Sequence, residues 1–563
     1  MPRRVETERD ILRQREQQEV VESHNPSAFD CQPEASSPVI EAEPNVPSSV
    51  TLVSAQVAEA ASRAAVVEEA SATIVMTHQD PQLHQQPSPV TTRRKKKVHI
   101  AIQGCCHGEL DKIYEQIREH ETNTGQTVDF LLCCGDFQSI RNKEDMQSMA
   151  VPDKYKTYGD FVKYYRGEKR VPVLTLFIGG NHEASNLLAE EYYGGYVSEG
   201  IFYLGHSSVV TVCGVRIGSL SGIYKGRDYT RPYPTVPYDH QSMRDAYHVR
   251  GFELEKLHRY AAVFHKQQQQ QVEQQQQDVE GENTKTPEAP AQTKTKQPHA
   301  VDIMLSHDWP VGITKYGNEP ALLRIKPYFA DDISHGALGN PYTMELLKNM
   351  RPKFWFAAHL HCHFTAQVAH LSYRPGSRIP TVTCAPTEFV ALDKCIHQSR
   401  KCLTFMTMEV DELDGDEHAT TETKKVKEED RERCCYPSVI MDPIWVDIVK
   451  QTHGMLRTTA ETSNSRGGHG TAAAWERSLD ALPEFIVGGE QQPVVLSDTA
   501  TLLSSMQLEP NPLINGGFRR SSISDRPPVV SAVPAPAVQA AVTEDDDGCS
   551  WVEDAVGRVG WRR

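Results

Sequence analysis

Between about residue 98 and residue 452 the chain alternates short apolar runs with polar loops. The runs HIAI (99–102), FLLCC (130–134), VLTLFIG (173–179), IFYLG (201–205), SSVVTVCGVRIGSLSG (207–222) and VDIMLS (301–306) are strand-length and rich in β-branched or aromatic residues. FWFAA (354–358), RIPTVTC (378–384) and KCLTFMTMEV (401–410) complete the strand set. Helical spacing appears at 109–121, where Leu110, Ile113, Tyr114 and Ile117 share one face, and at 247–265. A smaller helical element is expected within 436–453. Strands alternating with helical segments predict an α/β fold. No repeat of 20–50 residues is present, which excludes a solenoid.

Outside this region the pattern stops. Residues 1–97 are rich in Gln, Glu, Ser, Pro and Ala, apart from a weak helical stretch at 55–72, and read as a disordered extension ending in the basic patch RRKKK (93–97). The catalytic domain is expected over 98–410, interrupted by a disordered poly-Gln insertion at 266–298. A charged linker and small C-terminal element follow over 411–453, and a Gly/Ser/Pro/Thr-rich disordered tail over 454–563. The net charge of −16 is mostly a property of the ends. Residues 1–92 hold 6 basic and 14 acidic groups and residues 454–563 hold 9 and 14, leaving the centre near −3. A polyanionic partner is therefore not excluded. The 13 cysteines, several adjacent and in apolar runs, do not resemble a disulfide framework and point to a reducing compartment. No run of 18 apolar residues occurs, so no membrane partner is expected.

Five motifs sit where predicted strands end: GCCHG (104–108), GDFQ (135–138), GNHE (180–183), SHDWP (306–310) and AHLHCH (358–363). Open α/β folds build their sites there. Cys105 and His107, two apart in a loop, can converge on one metal ion, with His361 returning to it. Asp136 can bridge to a second ion held by Asn181, His307 and His359. His363 is the lesser alternative in the last motif.

In order and spacing these blocks resemble the calcineurin-like metallophosphoesterases, over roughly residues 98–400. Cys105 stands where that superfamily usually has Asp, and Ala358 where it usually has Gly. Both departures, with GCCHGELDKIYE, LLCCGDFQ, LTLFIGGNHEASN, MLSHDWP and MDPIWVDI, resemble the RNA lariat debranching family within it. The resemblance implies a metallophosphoesterase β-sandwich flanked by helices, which composition places between disordered N- and C-terminal extensions. It implies hydrolysis of the 2′–5′ phosphodiester of intron lariats by two divalent ions and a bridging hydroxide. A thiolate ligand favours Fe2+ or Zn2+, with Mn2+ as a substitute. His182 would act as general acid, with Glu183 either orienting it or bracing the loop.

The stretch 137–170 holds 8 Lys/Arg and 6 aromatics. Among them Arg141, Lys143, Tyr155, Lys156, Tyr164, Tyr165 and Arg166 are candidates for contacts to branched RNA. Residence in the nucleus, with shuttling to the cytoplasm, and splicing-associated partners for the tails are further expectations. Two other readings stay open: a phosphoesterase acting on another phosphodiester or a phosphoprotein, and a catalytically silent scaffold.

Overall fold

The first apolar run begins earlier than its pattern suggests, as strand β1, Lys95–Gln103. Lys95, Lys96 and Lys97 therefore belong to the sheet, with Lys95 opposite Asp411 and Lys97 opposite Glu409 on an antiparallel neighbour. Opposite charges at facing positions let three of the five residues of the basic patch join the sheet. The computed structural model describes residues 95–282, 298–373, 380–395, 401–411, 436–456, 494–514, 550–553 and 559–562. The expected helix at 55–72, residues 283–297 and the linker at 412–435 lie outside these.

After β1 come helix α1 (Leu110–Thr124), β2 (Phe130–Cys133), the short helices α2 (Lys143–Gln147) and α3 (Phe161–Tyr165), β3 (Leu174–Phe177) and α4 (Ser185–Glu190). Strands β4 (Gly195–Ser198), β5 (Ile201–Tyr203), β6 (Ser207–Val212) and β7 (Val215–Leu220) lead to the long helix α5 (Gly251–Glu282). Then follow β8 (Ile303–Ser306), α6 (Thr343–Met350), β9 (Phe354–Ala357), β10 (Phe364–Val368), β11 (Leu371–Tyr373), β12 (Pro380–Val382), β13 (Thr387–Ala391) and β14 (Leu403–Asp411). Further on lie β15 (Ile440–Met441), α7 (Pro443–Thr452), β16 (Val494–Val495), α8 (Thr499–Ser505) and the paired strands β17 (Ser550–Glu553) and β18 (Val559–Arg562).

Two sheets carry the fold, one in the order β14-β1-β2-β3-β5-β4 and one in the order β10-β13-β9-β8-β7-β6-β15-β16. β1, β2, β3 and β5 run parallel, as do β7, β8, β9 and β13. Side-chain alternation explains the layering. Ile100 and Ile102 of β1 and Leu132 of β2 share one core with Ile217, Leu305 and Phe356 of the second sheet. Ala101, Leu131 and Phe177 point the other way, onto Ile113, Tyr114 and Ile117 of α1. Strands buried on both faces need the continuous apolar runs seen in the sequence. The arrangement is the expected sandwich flanked by helices.

Two expectations are corrected. The poly-Gln segment is not wholly irregular, because α5 continues through it to Glu282. Glutamine has good helix propensity, and the buried turns before it (Phe252, Leu257, Tyr260, Phe264) supply the nucleus. The C-terminal tail is not wholly disordered either. β16 extends the second sheet, and Leu496, Leu502, Leu503 and Leu513 are buried. Asp498 caps α8 by accepting from Thr501 N–H (2.8 Å), while Asn511 Nδ2 donates to Ala189 O (2.8 Å). A local apolar cluster within a polar composition is what the tail average conceals.

Helix α5 is anchored by an ion pair inside the core. Lys256 Nζ lies 2.7 Å from Glu253 Oε2, both side chains 1% exposed, with Tyr192 OH and Ser207 OH donating to the same carboxylate. Glu253→Gln strands the ammonium in the core and is expected to cost about 3–5 kcal/mol, read as a fall in the urea midpoint. An unchanged midpoint would show that the pair is not holding the helix.

Candidate metal centre

Each of the five motifs leaves the carboxyl end of a strand: β1, β2 and β3 of one sheet, β8 and β9 of the other. Backbone bonds then lock the loops together. His107 N–H donates to Asp136 O (2.6 Å), Cys106 N–H to Gly135 O (3.2 Å) and Ala358 N–H to His307 O (3.1 Å). Trp309 Nε1–H donates to Ala358 O (2.8 Å), tying the fourth motif to the fifth.

The loops are tight enough to need unusual backbone. His107, Asp136, Gln138, His359 and His361 all have positive φ, between +46° and +63°. Such conformations cost non-glycine residues about 1–3 kcal/mol each and collect at functional sites. Two glycines make room. A Cβ on Gly135 (φ +104°) would strike the His307 ring, and one on Gly180 would strike Asp136.

Cys105 Sγ, a ring nitrogen of His107, a carboxylate oxygen of Asp136 and a ring nitrogen of His361 all lie within 4.8 Å of one another. His107 Nε2 is 3.1 Å from His361 Nε2 and 3.7 Å from Asp136 Oδ2. On the other side of Asp136, His307 Nε2 is 3.4 Å from Oδ1 and 3.3 Å from Asn181 Oδ1. The His359 ring lies 5.1 Å from that of His307. Asp136 thus faces two groups of donors. His307 Nδ1–H donates to Cys134 O (2.6 Å), which leaves Nε2 as a lone pair aimed into the site. Cys105 Sγ accepts from His359 N–H (3.2 Å). His363 is outside the cluster.

Charge state supports a metal. Burial holds His107, His307, His359 and His361 below their ordinary value of 6.5, so they are neutral ligands at pH 7. Burial opposes ionisation of Asp136, but His307, His182 and His107 outweigh it and keep the carboxyl well below its usual range. Burial, then Asp136, pushes the Cys105 thiol up, so binding a cation there must release a proton. Neutral imidazoles, one carboxylate and one displaceable thiol proton fit divalent metal ions. The other such cluster among the described residues, Asp228, Asp245 and His248, is already balanced by Arg227, 3.2 Å from Asp228 and 2.7 Å from Asp245.

A pH dependence follows for the metal-free protein. Folded-state histidine values below 6.5 mean that the unfolded chain takes up protons first as pH falls. Stability from these groups is complete above about 6.5 and is lost below it. The melting temperature of the metal-free protein is expected to drop between pH 7.5 and 5.5, less steeply in His361→Gln. A flat profile would contradict burial of neutral imidazoles.

His182 stands apart from the donors. Its N–H donates to Asp136 Oδ1 (2.9 Å), its Nδ1 is 3.9 Å from Asp136 Oδ2, and its side chain is 37% exposed. Glu183 does not orient it. Its carboxylate accepts from Phe137 N–H (2.7 Å), Gln138 N–H (2.9 Å) and Gly180 N–H (3.0 Å), bracing the second motif against the third.

The 137–170 segment needs correction. Arg141 is 7% exposed and clamped between Asp145 (2.8 Å) and Glu190 (2.7 Å), so it is a buried structural ion pair. Tyr164 is buried, its hydroxyl donating to Asp111 (2.7 Å). Tyr165 packs on the second core cluster, and Lys156 pairs with Asp153 (3.1 Å). Tyr155 (54% exposed), Lys143 and Arg166 remain on the surface. Sequence composition cannot separate a charge that faces solvent from one that staples two helices.

Residues 98–363 match the family model for calcineurin-like phosphoesterases. The chain is also similar to lariat debranching enzymes. It is 40% identical to lariat debranching enzyme A of Xenopus laevis over 381 residues, 68% of this chain and 59% of that protein. It is 39% identical to the lariat debranching enzyme of Homo sapiens (68% of this chain, 58% of that protein) and 42% identical to that of Arabidopsis thaliana (53% and 60%). The chain thus spans about six-tenths of the length of these curated relatives.

Proposed function

We propose that the protein is a metal-dependent phosphodiesterase that opens the 2′–5′ linkage at the branch of intron lariat RNA. The carrying observation is the single carboxylate of Asp136 placed between two donor groups, Cys105–His107–His361 and Asn181–His307–His359. The similarity to lariat debranching enzymes supplies the substrate class.

Two divalent ions held by these donors would neutralise the phosphate and supply an activated water. The chain's own residues do the rest. Asp136, fixed by His182 N–H in the room that Gly180 leaves, sets the spacing of the two halves. Glu183 keeps the second and third loops from separating. His182, at the open side of the centre, delivers a proton to the departing 2′-oxygen as the phosphorus–O2′ bond breaks. The water oxygen ends on the 5′-phosphate of the released arm, and the branch nucleotide regains its 2′-hydroxyl.

Thiolate and imidazole donors favour Fe2+ or Zn2+, with Mn2+ as a working substitute. Nuclear residence, and splicing-associated partners for the terminal segments, follow from the substrate and belong to the same proposal. Elemental analysis of protein purified under reducing conditions, run beside rates on branched and linear 2′–5′ and 3′–5′ RNA, tests it. Two ions per chain and preference for the branch support it. Equal rates on linear 3′–5′ RNA would defeat it.

A further inference from the structure

Beside the metal centre lies a group of aromatic rings that the five motifs do not include. Tyr229 and Tyr342 are stacked, with centroids 4.3 Å apart and planes 10° from parallel. Tyr224 meets both edge-on at 5.8 Å. Tyr342 is 41% exposed, so the stack reaches the protein surface. Tyr224 and Tyr229 are half-buried, so Tyr342 is the exposed member of the group.

The group is fastened to two metal-ligand loops. Tyr224 N–H donates to Asp308 Oδ2 (3.1 Å), the residue after His307. Two residues earlier, Gly222 N–H donates to Gly179 O (2.8 Å), at the start of the Asn181 loop. On the other side, Tyr342 N–H donates to Asn340 Oδ1 (3.0 Å), and Asn340 N–H donates to Trp309 O (2.8 Å). The rings are therefore positioned by the same backbone that positions Asn181 and His307. The loop bearing Tyr224 and Tyr229 also carries Lys225, Arg227, which is paired with Asp228 and Asp245, and Arg231, which lies 3.6 Å from Asp228 with its side chain 62% exposed.

We propose that Tyr224, Tyr229 and Tyr342 form a stacking platform for one nucleobase of the RNA strand next to the scissile phosphate. A flat aromatic face takes any base, and nearby cationic groups track the sugar-phosphate backbone. The platform supplies a contact that the buried Arg141 and Tyr164 do not. It rests on the proposed function and specifies where that site holds its substrate.

The test is a cycle between ring and base. Full-length, metal-loaded protein is assayed on synthetic branched RNA in which each nucleotide near the branch is made abasic in turn. Tyr342→Ala is expected to raise KM about 5- to 150-fold, the range for one stacked base, while Tyr342→Phe restores wild-type KM. At one abasic position the wild type should show the same rise, and Tyr342→Ala should add nothing further. Losses that add at every position would overturn the platform, as would a Tyr342→Ala defect confined to kcat. If the wild type releases the 2′ arm and Tyr342→Ala matches it in KM, the platform alone fails. If the wild type leaves the branch intact, the parent reading fails with it.

Discussion

Asp136→Asn should leave the protein folded and without its metal ions. The amide keeps the shape of the carboxylate and can still accept from His182 N–H, so the substitution removes charge and little else. The Asp136 side chain faces both donor groups, with His107 at 3.7 Å and His307 at 3.4 Å. Loss of an outer partner of a metal ligand costs ~10–100-fold in affinity, and loss of a shared anionic ligand should exceed that. Metal-ion catalysis contributes several kcal/mol, so hydrolysis should fall by ~10³-fold or more. Elemental analysis and a phosphodiesterase assay read both effects. A variant that keeps two ions per chain would contradict the shared-carboxylate arrangement.

His182→Ala should separate chemistry from binding. A general acid contributes ~10²–10⁴-fold, so kcat on branched RNA should drop by that amount while metal content and RNA affinity persist. The partly open ring beside Asp136, outside both donor groups, is the basis for this expectation. Leaving-group chemistry gives a second readout. An aryl phosphodiester expels a stable phenolate that needs no proton, so the defect should shrink sharply on that substrate. Loss of metal, or an equal defect on both substrates, would place His182 in another role.

The candidate metal centre was legible because each candidate donor follows an apolar strand, and strand ends fix a side chain's position before any tertiary contact is known. His307 after DIML and His359 after FWFAA converge because β8 and β9 are parallel neighbours. Surface function was less legible. Arg141 belongs to the same basic-aromatic stretch as Lys143, yet it is buried between Asp145 and Glu190, contacts that depend on how α2 and α4 meet. Glu183 reads as either a partner of His182 or a loop brace, and only the positions of three backbone N–H groups decide it. The tyrosine platform joins residues 224, 229 and 342, which no local pattern brings together. In the tail, Leu502 and Leu503 are too few to shift a composition average but enough to bury one helix.

The most direct measurement is product analysis of a branched RNA whose 2′ and 3′ arms carry different labels, incubated with the metal-loaded protein. Release of the 2′ arm bearing a 5′-phosphate, with the 3′ arm still attached to a branch nucleotide that has regained its 2′-hydroxyl, is the predicted result. An intact branch under conditions where an aryl phosphodiester is hydrolysed would contradict the lariat assignment and leave a phosphoesterase with another substrate.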